Sequence, residues 1–122
     1  MTTSQHPLVG TWTLKHLEDL VDGKWTKTFG EHPRGYFNFT AEGHVSVQFQ
    51  KDPPPPSTTA DGYLAYFGTY TVDDARGEFT SVVVASLNPK LIGTKQTRAF
   101  KISGHTMTVG DGATFRRTFE RK

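Results

Sequence analysis

The sequence has no cysteine, so no disulfide framework supports the fold and no thiolate serves as nucleophile or metal ligand. That absence fits a reducing compartment. The stretch Met1-Thr2-Thr3-Ser4-Gln5-His6-Pro7 lacks the basic region and apolar core of a signal peptide, and a cytoplasmic location is the expectation. No apolar run approaches the length of a membrane span, so no membrane partner is expected. Charge of one sign is scarce too: the formal net charge is +2, with bases and acids interspersed. The densest basic cluster, Arg116, Arg117, Arg121 and Lys122, is not the broad, aromatic-studded basic face of a nucleic-acid binder. Neither a Gly-rich phosphate loop nor a Ser–His–Asp arrangement is present, and Gly110-Asp111-Gly112 reads as a hairpin turn. The five histidines show no metal-ligand spacing. Neither a metal nor a cofactor is therefore expected.

What is present in abundance is strand. A chain of 122 residues suits one domain over 1–122, with enough length to bury a core without staples. Threonine, valine and aromatic residues recur in short stretches between Gly, Asp and Pro punctuation. The stretches are Leu8–Glu18, Trp25–Phe29, Tyr36–Thr40, His44–Gln50, Phe67–Val72, Glu78–Ala85, Lys95–Ile102, Thr106–Val109 and Thr114–Glu120. Short strands at even spacing predict an all-β antiparallel barrel or sandwich, and consecutive hairpins favour an up-and-down barrel of eight or nine strands, which closes without free edges.

One hairpin can be put in register from its turn. Ala41-Glu42-Gly43 fits a three-residue loop with glycine in the left-handed position. Thr40 then faces His44, Phe39 faces Val45 and Phe37 faces Val47, leaving Tyr36, Asn38, Ser46 and Gln48 on the other face. That polar face is read as the outer one, with a polar cavity wall as the alternative. The run Pro53-Pro54-Pro55-Pro56 cannot form ladder hydrogen bonds and favours an extended polyproline segment. Residues 51–66 are read as a long connection over a barrel end, a lid or a plain loop, with a short helical turn over 61–66.

Inside such a barrel, alternation assigns the chemistry. In Gly10-Thr11-Trp12 the glycine allows another segment to approach closely. With Trp12 inward, Leu14, His16 and Glu18 follow it. Gln96, Arg98 and Phe100 share an inner face, as do Phe115, Arg117 and Phe119. A buried guanidinium is costly unless paired. Arg117 is therefore read as stacking on Trp12 to close the barrel floor, or Glu18 is read as pairing with one of the two arginines. Arg98 or Arg117 is equally a socket for a carboxylate, enolate or phenolate. His16, the one histidine expected on an inner face, is the acid–base candidate, with a satisfied core histidine as the alternative. Tyr63, Tyr66 and Tyr70 surround the lid region, where they stack on a flat ligand or simply pack.

The segment Leu8-Val9-Gly10-Thr11-Trp12-Thr13-Leu14 resembles the start of the lipocalin-like domain proteins of bacteria and fungi. Arg34-Gly35-Tyr36, Ala41–Gln48, Tyr66-Phe67-Gly68-Thr69-Tyr70, Ser86-Leu87-Asn88-Pro89, Gly93-Thr94 and Gln96-Thr97-Arg98 resemble its later landmarks in the same order. The resemblance implies a calycin-type barrel with an internal cavity; the tetraproline departs from the family pattern and points to a distinctive Pro-rich loop at the mouth. Such barrels include carriers, and relatives in natural-product biosynthesis act as cyclases or isomerases. Members often carry a histidine in the strand before Ser-Leu-Asn-Pro; Phe79–Ala85 has none, which puts imidazole chemistry there in doubt.

Two functions follow as expectations. One is a barrel binding a small apolar or aromatic molecule, acidic or phenolic at its polar end, through Trp12, Leu14, Glu18, Tyr66, Tyr70, Gln96, Phe100, Phe115 and Arg117. The other is a cofactor-independent isomerase, cyclase or lyase with His16 as proton shuttle and Arg98 or Arg117 holding developing negative charge. A homodimer or other assembly would use the outer face, with Tyr36 and Phe67 as candidate contacts.

Overall fold

Glycine and aspartate mark most points where the chain reverses, because both tolerate the left-handed backbone that tight turns require. A computed structural model describes residues 6–54 and 62–122. Between the turns run β1 (Gly10–Val21), β2 (Lys24–Thr26), β3 (Arg34–Phe39), β4 (His44–Gln50), β5 (Tyr63–Asp73), β6 (Glu78–Ser86), β7 (Lys95–Ser103), β8 (Thr106–Val109) and β9 (Phe115–Arg121). Neighbours in the order β2-β1-β3-β4-β5-β6-β7-β8-β9 pair antiparallel, and β1 pairs with β9 as well. Eight strands thereby close a barrel, and β2 is an extra short strand paired only with the end of β1. None of the helices in the described residues is long and apolar enough to cross a membrane.

The β3–β4 hairpin has the register its turn chemistry predicts: Phe37 faces Val47, Phe39 faces Val45 and Tyr36 faces Gln48. Phe37, Phe39, Val45, Val47 and Phe49 are buried, so the polar residues between them form the outer face. Two expectations need correction. The stretch Trp25–Phe29 is extended only over Lys24–Thr26. The helical turn expected over 61–66 is instead strand from Tyr63 onward, because Leu64 and Tyr66 pair with Phe49 and Val47. Residues 55–61, which hold half of the proline run, lie outside the described residues.

The alternation along β1 also breaks. Its ladder with β9 shifts between Leu14 and His16, a β-bulge at Lys15. Leu14 pairs with inward Phe119, whereas His16 pairs with outward Thr118 and Leu17 with inward Arg117. Beyond the bulge the inward set is therefore Leu17 and Asp19. His16 and Glu18, expected inside, face outward, and His16 is exposed.

One end of the barrel is packed solid. Trp12, Phe39, Phe79, Met107 and Phe119 are fully buried, with Phe37 at their centre, stacked on Phe39 at 4.5 Å and edge-on to Phe79 and Phe119 at 5.7 and 5.6 Å. The indole N–H of Trp12 donates to the Leu8 carbonyl at 2.9 Å. Arg121 closes this floor, its guanidinium 4.2 Å from the Trp12 ring while it donates to the carbonyls of Val9 and Pro7. A Cβ at Gly10, whose φ is +137°, would stand 2.9 Å from that guanidinium, so glycine is what lets Arg121 close in. The stacking partner of Trp12 is therefore Arg121, not Arg117, because the floor lies at the carboxyl end of β9.

Candidate functional site

The other end of the barrel is hollow. Here the connections on either side of β2, the described start of the β4–β5 connection at 51–54, the Pro89–Leu91 3₁₀ turn and the β8–β9 turn surround a mouth. Gly30, with φ +88°, lets two of these connections meet: the Asp52 N–H donates to the Phe29 carbonyl at 3.1 Å, and any side chain at position 30 would run into the Asp52 carbonyl. Below the mouth lies a cavity of about 480 Å³. Phe37, Val47, Phe49, Leu64, Leu91, Val109 and Phe115 form its apolar wall, and Asp19, Tyr66, Gln96, Arg98, Thr114 and Arg117 bring polar groups to it. Phe37 and Val47 belong to both cavity and core, so the packed floor is also the cavity's base.

The two arginines flank one ring. The Arg98 and Arg117 guanidinium carbons lie 5.4 and 5.1 Å from the Phe115 centroid. Their polar partners differ. Arg117 is neutralised by Asp19 at 3.0 Å and donates to the Glu18 and Arg116 carbonyls, while the Asp19 carboxylate also accepts from the Thr28 hydroxyl at 2.5 Å. Arg98 donates to Gln96 Oε1 at 2.5 Å and to the Thr97 carbonyl at 2.9 Å. Gln96 in turn donates to Thr94 Oγ1 at 2.9 Å. Among the described residues no carboxylate reaches Arg98 within ion-pair distance. Among the described residues, then, one positive charge borders the cavity without a carboxylate beside it, oriented by an amide. Burial pushes the Tyr66 hydroxyl above the usual phenol range, against the opposing pull of Arg98. Tyr66 thus stays a neutral hydrogen-bond donor at neutral pH.

The structure gathers Arg98, Gln96, Tyr66, Phe115 and Arg117 at this cavity. It sets the other candidates apart. Trp12 belongs to the floor. Tyr70 points inward there too, donating to the Thr40 carbonyl at 2.7 Å and packing edge-on against Phe39. Phe100 packs on Phe79 and His6 at the same level. Leu14 borders a different concavity, on the outer wall. Glu18 is outside, pairing with Arg116 through two hydrogen bonds at 2.9 and 3.2 Å; those bonds hold its carboxyl below the usual range. Arg116 also stacks on Trp25, 4.0 Å from the ring, so Glu18 clamps β9 to the β1–β2 flap. His16, the candidate shuttle, is on the wrong side of the wall to reach the cavity. Asp19 is the polar residue alternation missed. The signal was available: the buried apolar residues Trp12, Leu14 and Leu17 are spaced by two and then by three, which a strand achieves only with a bulge.

Residues 9–120 match the family described as the lipocalin-like domain. No curated protein matches the chain significantly.

Proposed function

The chain belongs to the lipocalin-like domain family, and we propose on that premise that its mouth-end cavity binds a small, largely apolar molecule bearing one acidic or phenolic group. The observation that carries this reading is the contrast between the two interior arginines. Arg117 already has Asp19, whereas Arg98 is held by the neutral amide of Gln96, and among the described residues no carboxylate pairs with it. A carboxylate or phenolate on the ligand completes that pair, while Phe37, Val47, Leu64 and Val109 receive the apolar body. A cavity of about 480 Å³ suits a one- to three-ring molecule.

A second reading, a cofactor-independent isomerase or cyclase, is favoured by one observation: a phenol and a guanidinium line the same cavity. In that reading Tyr66 offers a hydrogen bond to a substrate oxygen and Arg98 holds negative charge developing on it.

Native mass spectrometry of protein isolated from its producing cells, against a denatured control, tests the binding reading. The expected result is a retained small molecule lost on denaturation. Arg98→Met is expected to lower retention of an acidic ligand about tenfold or more. Unchanged retention in that variant would sink the anion-socket reading. A consistently empty barrel favours a catalyst that releases its product.

A further inference from the structure

A second concavity, larger than the mouth-end cavity, lies outside the barrel as a groove of about 690 Å³ across the outer wall beside the mouth. It exists because β1 and β3 part. Their pairing joins only Gly10–Thr13 to Tyr36–Phe39. After the bulge at Lys15, β1 continues with β9, and Arg34 and Gly35 pair with Gln50 and Phe49 of β4 alone. Within the gap the half-buried Leu64 and the backs of the core residues Leu14 and Phe49 form an apolar bed. Phe49 and Leu64 also border the barrel cavity, so they stand between the two spaces.

The charge on this groove has one sign. Lys15, His32 and Arg34 line it, and among the described residues no aspartate or glutamate does. Lys15 touches Glu120 only at 3.7 Å, with both side chains about half exposed. No carboxylate of the described residues lies within ion-pair distance of Arg34. Tyr36 and Tyr63 add aromatic walls, and Leu87, 49 % exposed, leaves an apolar side chain in water. The unpaired edge of β3 is two residues long, too short to take up a peptide strand, which runs to about five residues.

We propose that this groove is a second binding site, for a small amphipathic anion: a medium-chain or single-ring apolar body carrying one carboxylate. The bed of Leu14, Phe49 and Leu64 takes the body, and Lys15 and Arg34 take the charge. Its charged residues, Lys15 and Arg34, are not shared with the barrel cavity, although Phe49 and Leu64 form a common wall between the two spaces.

A titration of the full chain with submicellar decanoate, followed by methyl NMR, tests it. Leu87 borders only the groove and Val109 only the cavity. Saturable shifts of the Leu87 methyls are expected, weakened about tenfold in a Lys15→Gln, Arg34→Gln double variant. The Val109 response should be the same in both proteins, and decanol should bind the groove correspondingly more weakly. Arg98→Met should leave the Leu87 response intact, which separates failure of the cavity reading from failure of this one. The proposal is overturned if the Leu87 methyls do not move, if decanol moves them as strongly as decanoate, or if the double variant behaves as the parent. Leu87 shifts that depend on protein concentration without decanoate would also overturn it, assigning the groove to a second copy of the chain.

Discussion

At the floor of the barrel, Trp12, Phe39, Phe79, Met107 and Phe119 are fully buried, and the Phe37 ring packs against those of Phe39, Phe79 and Phe119. At the mouth, Gln96, Arg98, Asp19 and Arg117 border about 480 Å³ of empty space. The main strands run through both ends, so the difference lies in the side chains they carry and in the connections around the mouth. Close-packed apolar rings contribute stability in proportion to area buried. Guanidinium groups in a half-enclosed space contribute little or cost stability, and are useful for what they recognise. On the proposed function, stability and recognition sit at opposite ends of one sheet.

The largest test of that division is at the floor. Phe119→Ala, at a fully buried position touching Phe37 and Phe49, is expected to cost about 3–5 kcal/mol in a denaturant titration. A loss below about 1 kcal/mol, within the range of an unimportant surface change, would break the contrast. Next comes Arg121→Ala, which removes the guanidinium over Trp12 and the donors to the Val9 carbonyl. A loss of about 1–3 kcal/mol is expected. Arg121→Lys should recover little of it, because an ammonium reproduces neither the stack nor the fork of donors.

At the mouth the effects move from stability to binding. Asp19→Asn removes the partner of Arg117, a pair whose side chains are 22 % and 32 % exposed, so solvent screening holds the stability loss to about 1 kcal/mol or less. The variant leaves a second uncompensated cation in the cavity, and affinity for an acidic ligand should rise several-fold by calorimetry. A fall in that affinity would mean that Asp19, not Arg98, is the group the ligand meets. The smallest effect is set by pH. Asp111 accepts from the backbone N–H groups of Ala113, Thr114 and Phe115 and from the Thr114 hydroxyl, which together hold its carboxyl far below the usual range. Folded, it binds its proton more weakly than unfolded. Its contribution is therefore complete above the unfolded value of about 4 and fades as pH falls below it. The stability gap between the parent and Asp111→Asn should be flat above about pH 5 and narrow towards pH 2, as read from urea midpoints. A gap that stays constant into acid would remove the carboxylate from the account of how Phe115 is held at the mouth.

Much of this was legible in the sequence. The β3–β4 register followed from Ala41-Glu42-Gly43, since a three-residue turn leaves one pairing that buries Phe37, Phe39, Val45 and Val47 together. Gln96, Arg98, Phe115 and Arg117 were placed inward because β7 and β9 alternate without interruption through them. The reading failed on β1, where one extra residue at Lys15 reversed the faces of everything after it. His16 and Glu18 were exchanged for Leu17 and Asp19 as inward residues.

The sequence by itself determined the barrel class, the hairpin order and the apolar stripes, because turn chemistry and period-two alternation are local and each residue's neighbours carry them. Only the tertiary structure decided which cation lies over Trp12, which arginine is neutralised and that the outer wall opens between β1 and β3. Those outcomes depend on how β1 closes against β9, a pairing between the two ends of the chain that includes a bulge. Its register is set by long-range packing, and no local pattern near either strand encodes it in full.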